Sequence, residues 1–165
     1  MAKEKDVKTN AMRILDRNKV SYKVNTYECE EFIDGVQIAD MLGQPYEMTY
    51  KTLVAQGKSG GYFVFVIPIA EELDMKKAAK SVGEKSVELI HVKDINKVTG
   101  YIRGGCTPLG MKKQYPTVVD DTAEALDEII ISGGRLGSQI FLSPKDLVKV
   151  TGGKFGQIIF DASQE

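Results

Sequence analysis

Apolar residues recur at helical spacing in several short segments of the chain. In the segment 6–19, Val7, Ala11, Ile14 and Leu15 lie on one face, which predicts an amphipathic helix. Further short helices are predicted where an Asp or a Ser can cap a first turn and a Gly ends the last one. These segments are 34–43, 74–83, 94–100 and 143–152. The last of them has a proline at a position that suits the first helical turn.

Other segments alternate apolar and polar residues or form short apolar runs, and these predict β-strands. They cover 20–27, 48–55, 62–68, 87–91, 117–120, 128–132, 139–143 and 156–161. The tally is about seven strands and four or five short helices in mixed order. A regular βαβ alternation is absent, so we expect an α+β fold with a mixed, strongly curved or barrel-like sheet flanked by short helices.

Length, composition and net charge limit the number of domains and the kinds of partner that we expect. The chain has 165 residues, 42% of them hydrophobic and 27% charged, and no internal linker is visible. We therefore expect a single domain over 1–165, with a substantial core. Twenty-two basic residues stand against 23 acidic ones, a net charge of −1. This disfavours a global attraction to nucleic acid but leaves room for a local basic face.

The chain offers few ligands for a metal and no targeting signal. Its two cysteines are far apart and there is one histidine, so we expect neither a metal nor a cofactor. The first ten residues lack the apolar core of a signal peptide, and the longest apolar run, 62–70, is too short to cross a membrane. We expect a monomeric cytoplasmic protein with no membrane association.

Residues 98–113, VTGYIRGGCTPLGMKK, form a glycine-rich bend. Its glycines and its proline exclude an ordinary helix or a central strand. The stretch 105–110 has the GxxxxG spacing of a phosphate loop, but Met111 and Lys112 stand where that motif needs Lys and then Ser or Thr. A Walker-type NTPase is therefore excluded.

Candidate nucleophiles are weak, whereas one lysine is unusual. The single histidine, His91, follows apolar residues at a strand end, where a structural or exposed imidazole is favoured. Cys106 has no identified base and is favoured as a packed thiol. Lys51 lies between apolar neighbours on a predicted strand, and either it snorkels to a wet face or it binds an anion.

Two further features have a structural and a functional interpretation. SGGRLG, 132–137, is a hairpin turn, to which Ser132 and the exposed backbone amides could add a site role. Several lysines are typical of solvated faces, but grouped in space they could contact phosphates. They are Lys76, Lys77, Lys80, Lys85, Lys112 and Lys113.

Five motifs in order, YKTLV, a buried strand, LDMKKAAKSVG, TGYIRGGCTPLGMKK and IIISGGRLG, closely resemble the YbaK/EbsC family of aminoacyl-tRNA deacylases. The family's relatives include the editing domain of bacterial prolyl-tRNA synthetases. The resemblance extends from about residue 20 to about residue 152 and implies a mixed, barrel-like sheet flanked by helices. It also implies hydrolysis of the ester between a wrong amino acid and tRNA, most typically cysteine on proline tRNA.

The resemblance also implies site residues. Lys51 and Gly104 correspond to catalytic positions, with Lys51 placing the ester through phosphate or ribose oxygens. Substrate-binding positions correspond to Tyr27, Thr52, Gly105, Thr107, Pro108 and Ser132. A family aromatic matches Phe32 only with altered spacing.

The family is associated with substrate assistance, in which the thiol of the substrate cysteine attacks its own ester. Alternatives remain open: alanine or another small residue as the edited amino acid, or a non-catalytic module that binds a nucleotide or an aminoacyl metabolite. The expected partners are mischarged tRNA and prolyl-tRNA synthetase, which would hold the tRNA for a near-neutral protein.

Overall fold

The computed structural model describes residues 7–160, which form five α-helices and eight β-strands. The helices are α1 (Asn10–Arg17), α2 (Gly35–Leu42), α3 (Met75–Ser81), α4 (Ile95–Thr99) and α5 (Pro144–Thr151). The strands are β1 (Tyr22–Thr26), β2 (Tyr50–Gly57), β3 (Tyr62–Pro68), β4 (Val87–Leu89), β5 (Thr117–Asp120), β6 (Ile129–Ser132), β7 (Ser138–Leu142) and β8 (Lys154–Gly156). No helix in this part of the chain has the length and apolar character needed to cross a membrane.

The strands form two sheets. The smaller sheet has the order β1-β7-β6 and is antiparallel throughout. The larger one has the order β4-β2-β3-β5-β8, in which β5 pairs in parallel with β3 and with β8 while the other pairs are antiparallel. An isolated parallel bridge between Thr49 and Ile130 connects the two sheets at one point.

The larger sheet is covered on both faces, which explains the unbroken apolar run of β3. Val64 and Val66 face a core shared with the smaller sheet, α1 and α5. Phe65 and Ile67 face a second core that includes residues of α3. Adjacent side chains of a strand point to opposite faces, so a strand buried on both sides has no polar alternation.

The mixed α+β class is confirmed, but the expected barrel-like sheet is not present. Neither sheet closes on itself in the described part of the chain. β2 pairs with β4 at residues 55–57, and the carbonyl of Val54 also accepts from the N–H of Ile90 at 3.0 Å. From residue 53 to residue 50 no described strand pairs with this edge, up to the bridge at Thr49. The two sheets therefore separate along this edge instead of continuing into one closed surface.

The ends of the chain differ from the predicted elements. The helix predicted over 6–19 begins at Asn10, because the hydroxyl of Thr9 caps it by accepting from the N–H of Met12 at 3.3 Å. The start predicted at residue 6 lies outside the described residues.

The last strand was predicted over 156–161, whereas β8 ends at Gly156. Beyond β8 the carboxylate of Asp120 accepts from the N–H of Ile158 at 3.1 Å. This bond takes a backbone donor out of the ladder, and only a bridge between Leu73 and Ile159 follows. Residue 161 lies outside the described part of the chain.

Most of the short internal helices have the ends expected of them, but α3 ends at Ser81, before the glycine at 83 that was expected to end it. Asp34 and Asp74 cap α2 and α3 by accepting from backbone N–H groups of the first turn. Gly43, Gly100 and Gly152 follow α2, α4 and α5 in the left-handed conformation that glycine adopts easily. The side chain of Asp94 makes no capping bond to α4, which instead continues from a 3-10 turn at Val92–Asp94. The side chain of Ser143 likewise makes no capping bond to α5.

Candidate active site

A cavity of about 450 Å³ lies where the two sheets separate. Its walls come from the open edge of β2, the end of β6, the start of β7 and the chain around α2. The segment that follows β4 and the glycine-rich bend complete the walls. Residues that bear on its chemistry are Tyr27, Phe32, Asp34, Lys51, Thr52, Arg103, Gly104, Cys106, Ser132 and Ser138. The volume is typical of small-molecule sites, which span roughly 300–1,000 Å³.

Lys51 lines this cavity and is partly buried. Lys51 and Thr52 point to opposite faces of β2, yet both reach the cavity because it lies along the edge of that strand. Among the described residues the ammonium group of Lys51 has neither a hydrogen bond nor an ion pair. A partly buried cation without a counter-charge is costly, so this position suits an anionic or strongly polar ligand.

Two hydroxyl groups at the cavity are also without partners. Thr52 Oγ1 and Ser138 Oγ are buried and have no hydrogen-bond partner in the structure. Leaving such a group unsatisfied costs about 1–3 kcal/mol, a cost that a bound ligand could remove. The same β2 edge thus presents a cation and a hydroxyl without partners, with a second hydroxyl nearby on β7.

The glycine-rich bend contacts the cavity at Gly104 and packs against the turn at 132–137 with Gly105. Gly104 lines the cavity with a φ of 89°, and its carbonyl accepts from the hydroxyl of Ser132 at 3.4 Å. A Cβ on Gly105 would lie 2.9 Å from the Cα of Arg135. Close approach of two loops therefore requires a glycine at position 105.

Of the eight site residues predicted from the sequence, five line the cavity: Tyr27, Lys51, Thr52, Gly104 and Ser132. Gly105, Thr107 and Pro108 are buried beside it and are not among its lining residues. Their predicted role in substrate binding stays a prediction. The hydroxyl of Thr107 is buried without a partner, and nothing in the structure explains it.

At the mouth of the cavity, the guanidinium of Arg103 stacks on the exposed ring of Phe32, with 3.9 Å between Arg103 Cζ and the ring centroid. Both residues line the cavity. Sequence reasoning considered Phe32 but missed Arg103. The one available signal was an arginine set among the glycines of the bend.

Among residues 7–160, the titratable groups at the cavity include no activated nucleophile. Burial raises the pKa of the Cys106 thiol to about 11, so it stays protonated near neutral pH. Burial also raises the pKa of the Tyr27 hydroxyl. The carboxylate of Asp34 is engaged in capping α2. His91 lies on a different cavity, of about 410 Å³, on the other side of β4.

A family model for the aminoacyl-tRNA editing domain matches residues 33–150. The chain therefore belongs to the aminoacyl-tRNA editing domain family. A curated protein of Enterococcus faecalis, named "Putative Cys-tRNA(Pro)/Cys-tRNA(Cys) deacylase EbsC", is 45% identical over 160 residues. That match covers 96% of this chain and 98% of the relative.

More distant similarities agree with this assignment. A proline–tRNA ligase of Fervidobacterium nodosum is 28% identical over 96 residues, which is 58% of this chain and 16% of the ligase. A crystal structure described as "a putative trans-editing enzyme for prolyl tRNA synthetase" superposes with a TM-score of 0.74 at 23% identity, covering 85% of this chain and 87% of that one. A hypothetical protein, APE2540, gives a TM-score of 0.84 at 22% identity, covering 92% and 100%. These two structures support the fold.

Proposed function

We propose that this protein is an aminoacyl-tRNA deacylase that acts in trans on mischarged tRNA, with Cys-tRNA(Pro) as its main substrate. The relative from Enterococcus faecalis carries such an activity in its name and matches nearly the whole chain. The observation in the structure that carries the proposal is the ammonium of Lys51. It lies without a partner in a cavity that Gly104 and Ser132 also line. The proposal treats 1–165 as one editing domain.

In this proposal Lys51 holds the substrate and does not act as a base. Its ammonium group is a three-donor cation that can bind phosphate or ribose oxygens of the terminal adenosine. Its place on a rigid strand fixes the ester relative to the carbonyl of Gly104 and the hydroxyl of Ser132. Tyr27 and Thr52 would bound the space for the amino acid.

The nucleophile in the proposal is the thiol of the substrate cysteine. Its sulfur forms a bond to the carbonyl carbon of its own ester, and the bond from that carbon to the ribose oxygen breaks. The thiol proton passes to the ribose oxygen, so the products are uncharged tRNA and a cyclic thiolactone of cysteine. Holding the two reacting groups in place can supply much of the acceleration, since intramolecular attack has high effective molarities.

The raised pKa of the Cys106 thiol supports the substrate thiol, and not Cys106, as the nucleophile. A thiol with a pKa of about 11 is almost wholly protonated at pH 7, and the thiolate is the reactive form. A free thiol such as that of a bound cysteine titrates near pH 8.5 and has a usable thiolate fraction. The substrate thiol is therefore the better nucleophile of the two.

The experiment is a deacylation assay with Cys-tRNA(Pro), Ala-tRNA(Pro) and Pro-tRNA(Pro). We expect fast loss of cysteine and little loss of proline. Faster loss of alanine would identify a small-residue deacylase that uses water. No turnover with saturable binding would identify a binding module, and both results would contradict the proposal. Cysteine whose sulfur carries a methyl group should react at least about 100-fold more slowly, because it cannot form the thiolactone.

We further propose that the protein is a monomer acting with prolyl-tRNA synthetase in the cytoplasm, where aminoacyl-tRNA is made. The net charge of −1 supports a partner that holds the tRNA, because a near-neutral protein binds RNA weakly. Adding the synthetase should raise the deacylation rate at limiting tRNA. An unchanged rate over a range of synthetase concentrations would contradict this part of the proposal.

A further inference from the structure

The net charge of −1 conceals an uneven distribution of charge between the chain segments that contribute to the cavity wall. Segment 92–113 carries five cations and one carboxylate, that of Asp94. We call the five cations the basic rim, and all are exposed: Lys93, Lys97, Arg103, Lys112 and Lys113. Among the described residues, ion pairs join only Lys8 to Asp16 and Lys23 to Glu128, so none of the rim cations has a counter-charge of its own.

The fold holds the two ends of this segment together. The N–H of Lys112 donates to the carbonyl of Thr99 at 3.0 Å, and the Tyr115 hydroxyl donates to the carbonyl of Val98 at 2.8 Å. The side chain of Lys112 lies over Gly100, where a Cβ would come within 3.3 Å of it. The lysines at 112–113 are therefore held against α4, which bears Lys97.

This segment also forms one side of the cavity. Val92, Ile95, Arg103 and Gly104 all line it. The lining also includes Phe32 and Asp34, within a segment whose charges are all negative: Glu28, Glu30, Glu31 and Asp34. A basic segment, whose Arg103 lines the cavity, and an acidic segment, whose Asp34 lines it, therefore meet where Arg103 stacks on Phe32.

We propose that the basic rim binds phosphate groups of the RNA strand that leads into the cavity. This inference rests on the proposed function, which places the terminal adenosine of tRNA inside. The nucleotides before it must leave through the mouth, and each carries a phosphate that an exposed lysine can neutralise with release of counterions. The acidic segment 28–34 repels the same strand, so the RNA approaches across α4 and the 112–113 lysines.

A second group of lysines provides a matched control. Lys76 and Lys80 on α3, with Lys85 after it, are also exposed. However, α3 packs on the other core of the larger sheet and contributes no residue to the cavity. Two triple charge reversals therefore change the net charge equally. One is Lys97→Glu/Lys112→Glu/Lys113→Glu, and the other is Lys76→Glu/Lys80→Glu/Lys85→Glu.

The test measures binding of uncharged proline tRNA to the full chain at several salt concentrations. We expect the rim triple to weaken binding at least about 10-fold near 50 mM salt and to lower the slope of log affinity against log salt by about 3. The α3 triple should stay within about twofold of the wild type. If both triple variants lose the same amount of affinity, the effect is one of net charge alone and the proposal is overturned. An unchanged salt slope in the rim triple variant would also overturn it.

A small substrate separates this proposal from the proposed function. Cysteinyl-adenosine ester carries the reacting group without the preceding phosphates, so the rim triple should cleave it at the wild-type rate while losing activity on Cys-tRNA(Pro). If the rim triple variant is equally slow on the adenosine ester and on Cys-tRNA(Pro), the substitutions have damaged the cavity itself, and this result contradicts the proposal. If the wild type cleaves neither substrate, the proposed function fails, and the binding measurement above still decides the role of the rim.

Discussion

Two groups of polar side chains in this protein differ in whether the chain itself supplies their hydrogen-bond partners. Asp120 is fully buried, and its carboxylate accepts from Thr122 N–H, from the Thr122 hydroxyl at 2.7 Å and from Ile158 N–H. Tyr50 completes this network by donating to the same hydroxyl. At the β2 edge, by contrast, the ammonium of Lys51 and the hydroxyl of Thr52 have no hydrogen-bond partner among the described residues. A polar group satisfied by the chain stabilises the fold, and one left unsatisfied at a cavity is available to a ligand.

The largest expected effect of this contrast is at Lys51. Lys51→Ala should lower kcat/KM on Cys-tRNA(Pro) by about 100-fold or more, since removal of one positioned donor costs about 10²–10³ in rate. Its melting temperature should stay the same or rise, because the substitution removes a cation without a partner. The control is Lys145→Ala, an exposed lysine in the first turn of α5. Full activity in Lys51→Ala would show that the ammonium without a partner does not bind the substrate.

The opposite behaviour is expected at Asp120. Asp120→Ala should lower the free energy of unfolding by about 2–4 kcal/mol, because it leaves buried donors unpaired. Activity per folded molecule should be retained. Urea denaturation beside the exposed neighbour variant Asp121→Ala measures this difference. A loss of activity without a loss of stability would mean that the network serves the reaction.

A smaller effect is expected at the hydroxyl next to Lys51. Thr52→Val should reduce kcat/KM about 10-fold, the worth of one hydrogen bond to the ligand, with no loss of stability. Thr107→Val removes another buried hydroxyl without a partner, one that does not line the cavity, and should cost less activity. Equal losses from the two variants would favour a direct substrate contact by Thr107, as the sequence predicts.

The smallest effect is expected at Cys106. Cys106→Ser should keep activity within about twofold, because a protonated thiol contributes no nucleophile. Its pKa is raised from 9.0 to about 11, so the folded state keeps its proton where the unfolded state loses it. This contribution to stability is complete below about pH 9 and is lost as the pH rises towards 11. The wild type should therefore lose more stability than Cys106→Ser in this window, which unfolding at pH 8 and pH 10.5 measures.

Local features of the fold followed from the sequence because their causes are local. The continuous apolar run at 62–68 predicted a buried strand, and the caps at Asp34 and Asp74 predicted two helix starts. The arrangement of the strands in two sheets did not follow, since it depends on which distant strands pair and on the single point, the bridge between Thr49 and Ile130, at which the described sheets are connected. The last strand was misplaced because a side chain from another strand, Asp120, takes one of its donors.

In the candidate site, too, features with local causes could be predicted from the sequence, and features that depend on distant contacts could not. Lys51 stood out in the sequence because a lysine among apolar neighbours needs a reason, and the cavity supplies one. The position of Arg103 over Phe32 could not be predicted, because it requires two loops to meet at the mouth. Likewise, the need for glycine at position 105 arises from contact with Arg135 in a different turn.

The most direct test of the central claim, that a ligand completes the groups left without partners in the cavity, uses an adenosine analogue that carries cysteine through a 3′-amide. This analogue cannot lose its amino acid and can be titrated by calorimetry. The account predicts saturable binding to the wild type and to Lys145→Ala, and binding weakened at least about 10-fold in Lys51→Ala. Equal affinity for all three proteins would contradict it.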